Sequence, residues 1–419
     1  MRGASTSPAA EGRSEAFAAP CQPAWFDEPL FFKYEDQWGT SDPLIHQLPF
    51  NGLAWGLLPN FPDASVIAEG PYTPDPMTLR LETAQVRQWS FGGPYFAFTN
   101  LRALYDSPPP EWDAFRMRSL NGAYYNGSGS NAIPFYSLSS PVFQAFIKAR
   151  AREAVDIGAD GFLIDDPGGQ VVLMFDQPAA TAGTFDTVTM AAFRSWLQQQ
   201  FSPAALQTQF GISDISTFDF GAWINSNGLT DTWNTEPVSG LALQFFLFKR
   251  QETVDFLRDL ISSTKQYARE VYGRDFPFTC NCGYEPSYGG GFYFTRDTMD
   301  LTTNESYYLD AQTYPSNTPF VAPFIRAGNG WKASLGRREG GATSSSCRAP
   351  QLVLAETGPP GTPGYLTKPT SNLMRVIFAD IYAAGGAIRL RSGRYSNGTA
   401  AGVRASGRHA DRRWRLRHQ

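Results

Sequence analysis

The stretch GADGFLIDDPGG, residues 158–169, decides how this chain folds. From Gly161 to Ile164 the residues are small or apolar with no polar alternate, and they run straight into two carboxylates, Asp165 and Asp166. So short and unbroken an apolar run is what a strand buried on both faces requires, as in a parallel α/β sheet. A Pro-Gly-Gly breaker ends it at once. Ahead of it a helix is well signalled. Ser140 and Pro141 supply an N-cap and a first-turn proline, and Phe143, Phe146, Ile147, Ala151, Ala154 and Val155 recur at helical spacing before Gly158 closes the turn. Helix, turn, buried strand, then acid at the strand's C-terminal end is the order expected of a (β/α)8 TIM barrel, whose active sites lie at that end.

The plainer reading of these acids is a cap, since an Asp just past a strand often holds the following loop. Two in a row, reached through an apolar strand, point to chemistry as well. Successive strand residues face opposite sides, so one of the pair faces a pocket and the other holds the loop.

Working outward, 419 residues suit one large barrel with long βα-loop insertions. Residues 1–24, rich in Ala, Ser, Gly and Pro, are expected to be disordered. They hold an AFAAP stretch like a cleavage region but no apolar core, so export would require a signal segment upstream. The barrel is expected over 25–391. The segment 30–38 reads as a strand or strand approach, and strands are expected within 51–58, 92–100, 122–128, 161–165, 276–283, 300–308, 351–358 and 386–391. Counted from 51–58 these make eight. An insertion, 170–240, follows the fourth strand. In it Asp186 caps one helix, and Ser202-Pro203 opens another that Gly211 ends. One long amphipathic helix is expected over 240–273, and another from Thr370 through Ile381. Residues 392–419, rich in Gly, Ala and Arg, read as a disordered basic tail, and the loop 336–350 has a similar composition.

Composition removes several classes of function. A net charge of −4 argues against a nucleic-acid partner. No apolar run approaches the ~20 residues that span a bilayer, so no membrane partner is expected. The four cysteines match no zinc spacing, and Cys280 and Cys282, two apart on an expected strand, read as packed thiols. Of three histidines, His409 and His418 lie in the basic tail, leaving His46 alone. No multi-histidine metal site can be built, and no G-x-S-x-G elbow accompanies a triad. Neither metal nor organic cofactor is expected, and the chemistry falls to carboxylates.

Three expected strands end in acid: the fourth in Asp165 and Asp166, the sixth in Glu305, the seventh in Glu356. Acids at the same end of neighbouring barrel strands converge over one pocket, and two suffice for glycoside hydrolysis. Asn304 and Tyr307 flank Glu305 and can orient it or meet sugar hydroxyls, although Asn304-Glu305-Ser306 is equally a glycosylation sequon. Glu356 precedes a rigid TGPPG turn that it could merely cap. Trp38, Trp55, Tyr284, Tyr288 and Trp331 fall near expected strand ends, where sugar rings would stack, though each alone reads first as a packing residue.

The run SLSSPVFQAFIKARAREAVDIGADGFLIDDPGG resembles the segment leading into the fourth strand of TIM-barrel glycoside hydrolases. FDTVTMAAFRSWLQQQFSPAALQTQFGI resembles an insertion of the family 42 β-galactosidases and their bacterial relatives. The likeness covers roughly 25–391 and implies a retaining mechanism with acids on two strands. Family 42 would carry Asn-Glu where Ile164-Asp165-Asp166 stands; the G-F-x-I-D form is similar instead to dextranase and amylase families with a fourth-strand Asp nucleophile. That likeness implies Asp165 as nucleophile and Glu305 as acid/base, whereas the family 42 likeness implies Glu356 as nucleophile. The expected function is hydrolysis of an oligo- or polysaccharide, with a carbohydrate as the partner. The alternative is a catalytically inactive carbohydrate-binding barrel.

Overall fold

A computed structural model of the chain describes residues 31–33, 52–56, 94–100, 110–125, 134–165, 171, 174, 178–235, 238–282, 299–300, 302–306, 351–355 and 386–390. Eight strands lie among them: β1 (Phe31–Lys33), β2 (Gly52–Gly56), β3 (Tyr95–Asn100), β4 (Gly161–Asp165), β5 (Phe278–Cys282), β6 (Thr302–Ser306), β7 (Gln351–Ala355) and β8 (Gly386–Leu390). Every strand pairs in parallel with the next, and β8 pairs in parallel with β1. The described helices are α1 (Pro141–Asp156), α2 (Thr187–Gln200), α3 (Pro203–Phe210), α4 (Phe220–Ser226) and α5 (Gly240–Tyr272).

The helix ends follow the local chemistry. The Ser140 side chain accepts from the Phe143 N–H, that of Asp186 from Thr189 and that of Ser202 from Ala205, each satisfying an orphan donor of a first turn. Gly211 and Gly273 close α3 and α5 in the left-handed region, at φ 71° and 63°. Asp219 caps α4 in the same way, a short helix that hydrophobic periodicity alone does not reveal.

Two large cores stand out among the described residues. Tyr95 and Ala97 of β3, Phe162 and Ile164 of β4, and Phe278 and Cys280 of β5 pack with α1 and with Phe256, Leu257, Leu260, Ile261 and Ala268 of α5. These strand residues define the helix-facing side of the sheet. The second core belongs to the insertion: Met190, Phe193, Leu197, Leu206, Phe220, Ile224 and Trp233 close on Leu241, Phe245 and Phe248 at the start of α5. Its centre is aromatic, with Phe193 and Phe220 each 5.0 Å from the Phe245 ring. Each such ring contributes about 1.5–3 kcal/mol on burial. Thirty-three residues make α5 about 50 Å long, while a five-residue strand spans about 17 Å. Its second half lies on the sheet and leads into β5, so its first half reaches past the strands' C-terminal ends, carrying the insertion there.

A buried polar cluster joins the two bodies. Asp186 accepts from the Thr189 hydroxyl at 2.8 Å, and that hydroxyl meets Ser137 of the β3–α1 connection at 2.6 Å. Ser139 donates to Glu252 of α5, which is paired with the fully buried Lys249. Burial raises the Asp186 carboxyl above its ordinary range, against the hydrogen bonds from Thr189 that lower it.

Three expectations change. The first strand is Phe31–Lys33, so the ring begins before 51–58. Of the segment expected as a strand over 122–128, the described residues 122–125 are not in one of the eight. Gly122, at φ 81°, turns the chain so that Tyr124 bridges back to Arg118 antiparallel, inside the β3–α1 connection. An alternating aromatic pattern fits such a local ribbon as well as a sheet strand. Cys280 is disulfide-bonded rather than a packed thiol. Its spacing from Cys282 constrains only a partner on the same strand. The helix expected from Thr370, the terminal segments and the 336–350 loop lie outside the described residues.

Candidate active site

Strand register assembles the site. Side chains alternate along a strand, and directly paired residues of neighbouring strands share a face. Since Phe162, Ile164, Phe278 and Cys280 face the helices, Leu163, Asp165 and Thr279 belong to the opposite face. On that face the layers read from the strand starts upward. Phe96 pairs with Gly161 at the base, where a Cβ on Gly161 would come 2.4 Å from Phe96 Cε1, so the ring fills that space. Above lie Phe98, Leu163 and Thr279, paired in register and buried. The next level is polar: Asn100 pairs with Asp165, and Asp165 with Asn281. Asp165 is only 8% exposed.

Glu305 lies on the same face. Asn281 pairs with Thr303, two residues before Glu305, so Glu305 shares the face of Asp165. Running round the other way gives the same answer. Tyr95 faces the helices and pairs with Leu53; Leu53 pairs with Lys33, Lys33 with Leu390, Leu390 with Ala355 and Ala355 with Ser306. Ser306 therefore takes the helix-facing side and Glu305 the other. Two strand spacings and two residues separate Asp165 from Glu305, roughly 12 Å between Cα atoms on a flat sheet and less on a curved one.

Asn304 pairs with Cys282 and falls in the alternate row, with Cys280 and Ile164, so the register separates it from the face of Glu305. Trp55 lies in β2, one residue before Gly56, the partner of Ala97. Asp166 and Glu356 each follow directly on the last residue of β4 and β7 and lie outside the described residues, as do Trp38, Tyr284, Tyr288, Tyr307 and Trp331. Sequence reading missed several polar members of that face. Asn100 and Asn281 flank Asp165, and Arg389 of β8 is linked to Glu305 through Leu354. Their signal was a polar residue ending or interrupting an apolar strand, in YFAFTN, FTCNC and GAIRL. Among the described residues no group of His, Cys, Asp and Glu could hold a metal ion, and no helix is long and apolar enough to cross a membrane.

No family model matches the sequence. The chain is 28% identical over 128 residues to an alpha-agarase of Alteromonas agarilytica, a match spanning 30% of this chain and 8% of that protein. Its fold resembles that of a beta-galactosidase from the Antarctic haloarchaeon Halorubrum lacusprofundi, with a TM-score of 0.55 and 15% identity over 92% of this chain and 58% of the other. A beta-galactosidase from the psychrophilic Marinomonas ef1 gives a TM-score of 0.53 and 13% identity over 92% and 61%. The likeness to these glycoside hydrolases is one of fold, and the chain covers less than two thirds of the length of each of the three.

Proposed function

We propose that this chain is a (β/α)8-barrel glycoside hydrolase with long βα-loop insertions, in which Asp165 and Glu305 act as the two carboxylates of a retaining mechanism. The observation that carries the reading is the shared register face of Asp165 and Glu305 at the C-terminal ends of β4 and β6, above a buried apolar layer. The closure of the strand order through the pairing of β1 with β8 supports the barrel, and the fold likeness to beta-galactosidases supports the class of reaction.

In the first step the Asp165 carboxylate attacks the anomeric carbon, forming a C–O bond as the glycosidic C–O bond breaks. Glu305 gives its proton to the departing oxygen. In the second, ionised Glu305 takes a proton from water, whose oxygen attacks the same carbon and releases Asp165. The substrate proposed is a polysaccharide, and agar is the first to test because of the alpha-agarase match.

The test is incubation of the purified chain with a glycan panel that includes agarose and aryl galactosides. Reducing-end release should appear, and proton NMR should show the first-formed sugar with its anomeric configuration kept. Release with inversion would remove the nucleophile role. Binding without release would make the chain a carbohydrate-binding barrel.

A further inference from the structure

We propose that Arg116, Arg118 and Tyr124 form a docking point for an anionic polysaccharide, a glycan carrying sulfate or carboxylate groups, at the rim of the barrel. The choice of a glycan as occupant rests on the hydrolase reading; the preference for negative charge does not. Arg118 bridges antiparallel to Tyr124, and both guanidiniums lie against the Tyr124 ring, each 4.2 Å from its centre. The three residues belong to the connection from β3 to α1, which leaves the sheet at the end where Asp165 stands. That connection also pairs with the insertion: the Phe185 N–H donates to the Arg118 carbonyl at 2.7 Å, and the Leu120 N–H to that of Ala182 at 3.0 Å.

Local chemistry builds the group in advance. Gly122, at φ 81°, turns the chain between Arg118 and Tyr124. The Asn121 side chain accepts from the Ser119 hydroxyl at 2.6 Å and from the Ala123 N–H at 3.1 Å, which holds the turn. Arg118 donates to the Gly122 carbonyl and to the Tyr124 hydroxyl, each at 3.1 Å, and so uses two of the five N–H donors of a guanidinium. Tyr124 is 39% exposed, so the group faces solvent. One guanidinium would suffice to staple the ribbon to the ring. The second adds repulsion between two nearby cations, which a bound anion relieves. Asp113, 3.6 Å from Arg116, offsets part of that charge, while no carboxylate of the described residues pairs with Arg118. A sulfate or carboxylate accepts parallel N–H bonds from such a fork, and a fork already held in place loses little freedom on binding.

The experiment measures binding of the purified chain to immobilised agarose, kappa-carrageenan (a sulfated galactan) and polygalacturonate (a carboxylated glycan). At least one charged glycan should bind about tenfold tighter than agarose, and the advantage should shrink as salt rises. Which of the two binds tighter identifies the anion. Arg118→Gln should abolish the advantage, and Arg118→Lys, which keeps the charge and loses the fork, should keep part of it. Tyr124→Ala should weaken binding about fivefold; if that variant fails to fold, the comparison of Gln with Lys at Arg118 decides. Equal binding of neutral and charged glycans, or an Arg118→Gln variant as tight as the parent, would overturn the inference. Single-stranded DNA held as tightly as the charged glycan would overturn it too, since the group would then take any polyanion. Because binding needs no turnover, a preference for charged glycan in a chain that cleaves none would uphold the docking point and reject the hydrolase reading instead.

Discussion

Gly161 of β4 and Phe96 of β3 share one space: the Phe96 ring occupies the position that a side chain on Gly161 would take. A Cβ there would also meet the Pro277 carbonyl oxygen at 2.7 Å, and a backbone oxygen cannot turn aside as a ring can. The pair sets the base of the sheet face whose upper level holds Asp165, so its packing fixes the strand that carries the acid.

Gly161→Ala should therefore cost about 1–3 kcal/mol through overpacking. The urea midpoint should fall with an unchanged slope. Adding Phe96→Leu should recover part of the loss, because the clash with Pro277 remains. A neutral Gly161→Ala would contradict the close approach.

The joint between the insertion and the sheet makes a separate prediction. Lys249 is fully buried and paired with Glu252, which also accepts from Ser139. Glu252→Ala removes the ion-pair partner of a buried cation and should destabilise by about 3 kcal/mol, whereas Lys249→Met removes the charge and should cost less. Chemical denaturation measures both. Equal, small losses would mean that the joint is solvated.

A third prediction concerns pH. Asp156 at the end of α1 accepts from the hydroxyls of Tyr267 and Tyr272, each at 2.8 Å. Burial nonetheless raises its carboxyl above the ordinary value of 3.8, while those hydrogen bonds and Arg274 and Arg152 act to lower it. With a raised native value, the folded state binds the proton first. The contribution of Asp156 to stability therefore increases as pH falls through the native value and levels off below the unfolded one. Unfolding free energies of the parent and of Asp156→Asn, compared across that window, should diverge in favour of the parent as pH falls. A difference independent of pH would contradict it.

What could be read in advance was what local chemistry decides. Ser140, Asp186, Ser202, Gly211 and Gly273 mark helix ends by bonds and backbone angles within one turn, and the structure has all five in those roles. The apolar run into Asp165 was similarly legible, because burial on both faces leaves no alternation. Phe31–Lys33 was harder: three residues carry no period, and their partners are distant β2 and β8. Asn100 and Asn281 were hidden for the same reason. Each is unremarkable in its own strand and becomes part of a site only when pairing sets it beside Asp165. Asn304, adjacent to Glu305 in the chain, illustrates the converse, since one step along a strand changes face.

The central claim is that Asp165 attacks the sugar, and the rate of Asp165→Asn against the parent on one hydrolysed glycan tests it most directly. The substitution keeps shape and removes the attacking charge, so turnover should fall by at least about a thousandfold while the glycan still binds. Glu305→Gln, measured alongside, should be damaging on poor leaving groups and far less so on activated aryl glycosides, which leave without protonation. An Asp165→Asn variant that keeps its activity, while Glu356→Gln is dead, would contradict the account and move the nucleophile to the residue that follows β7.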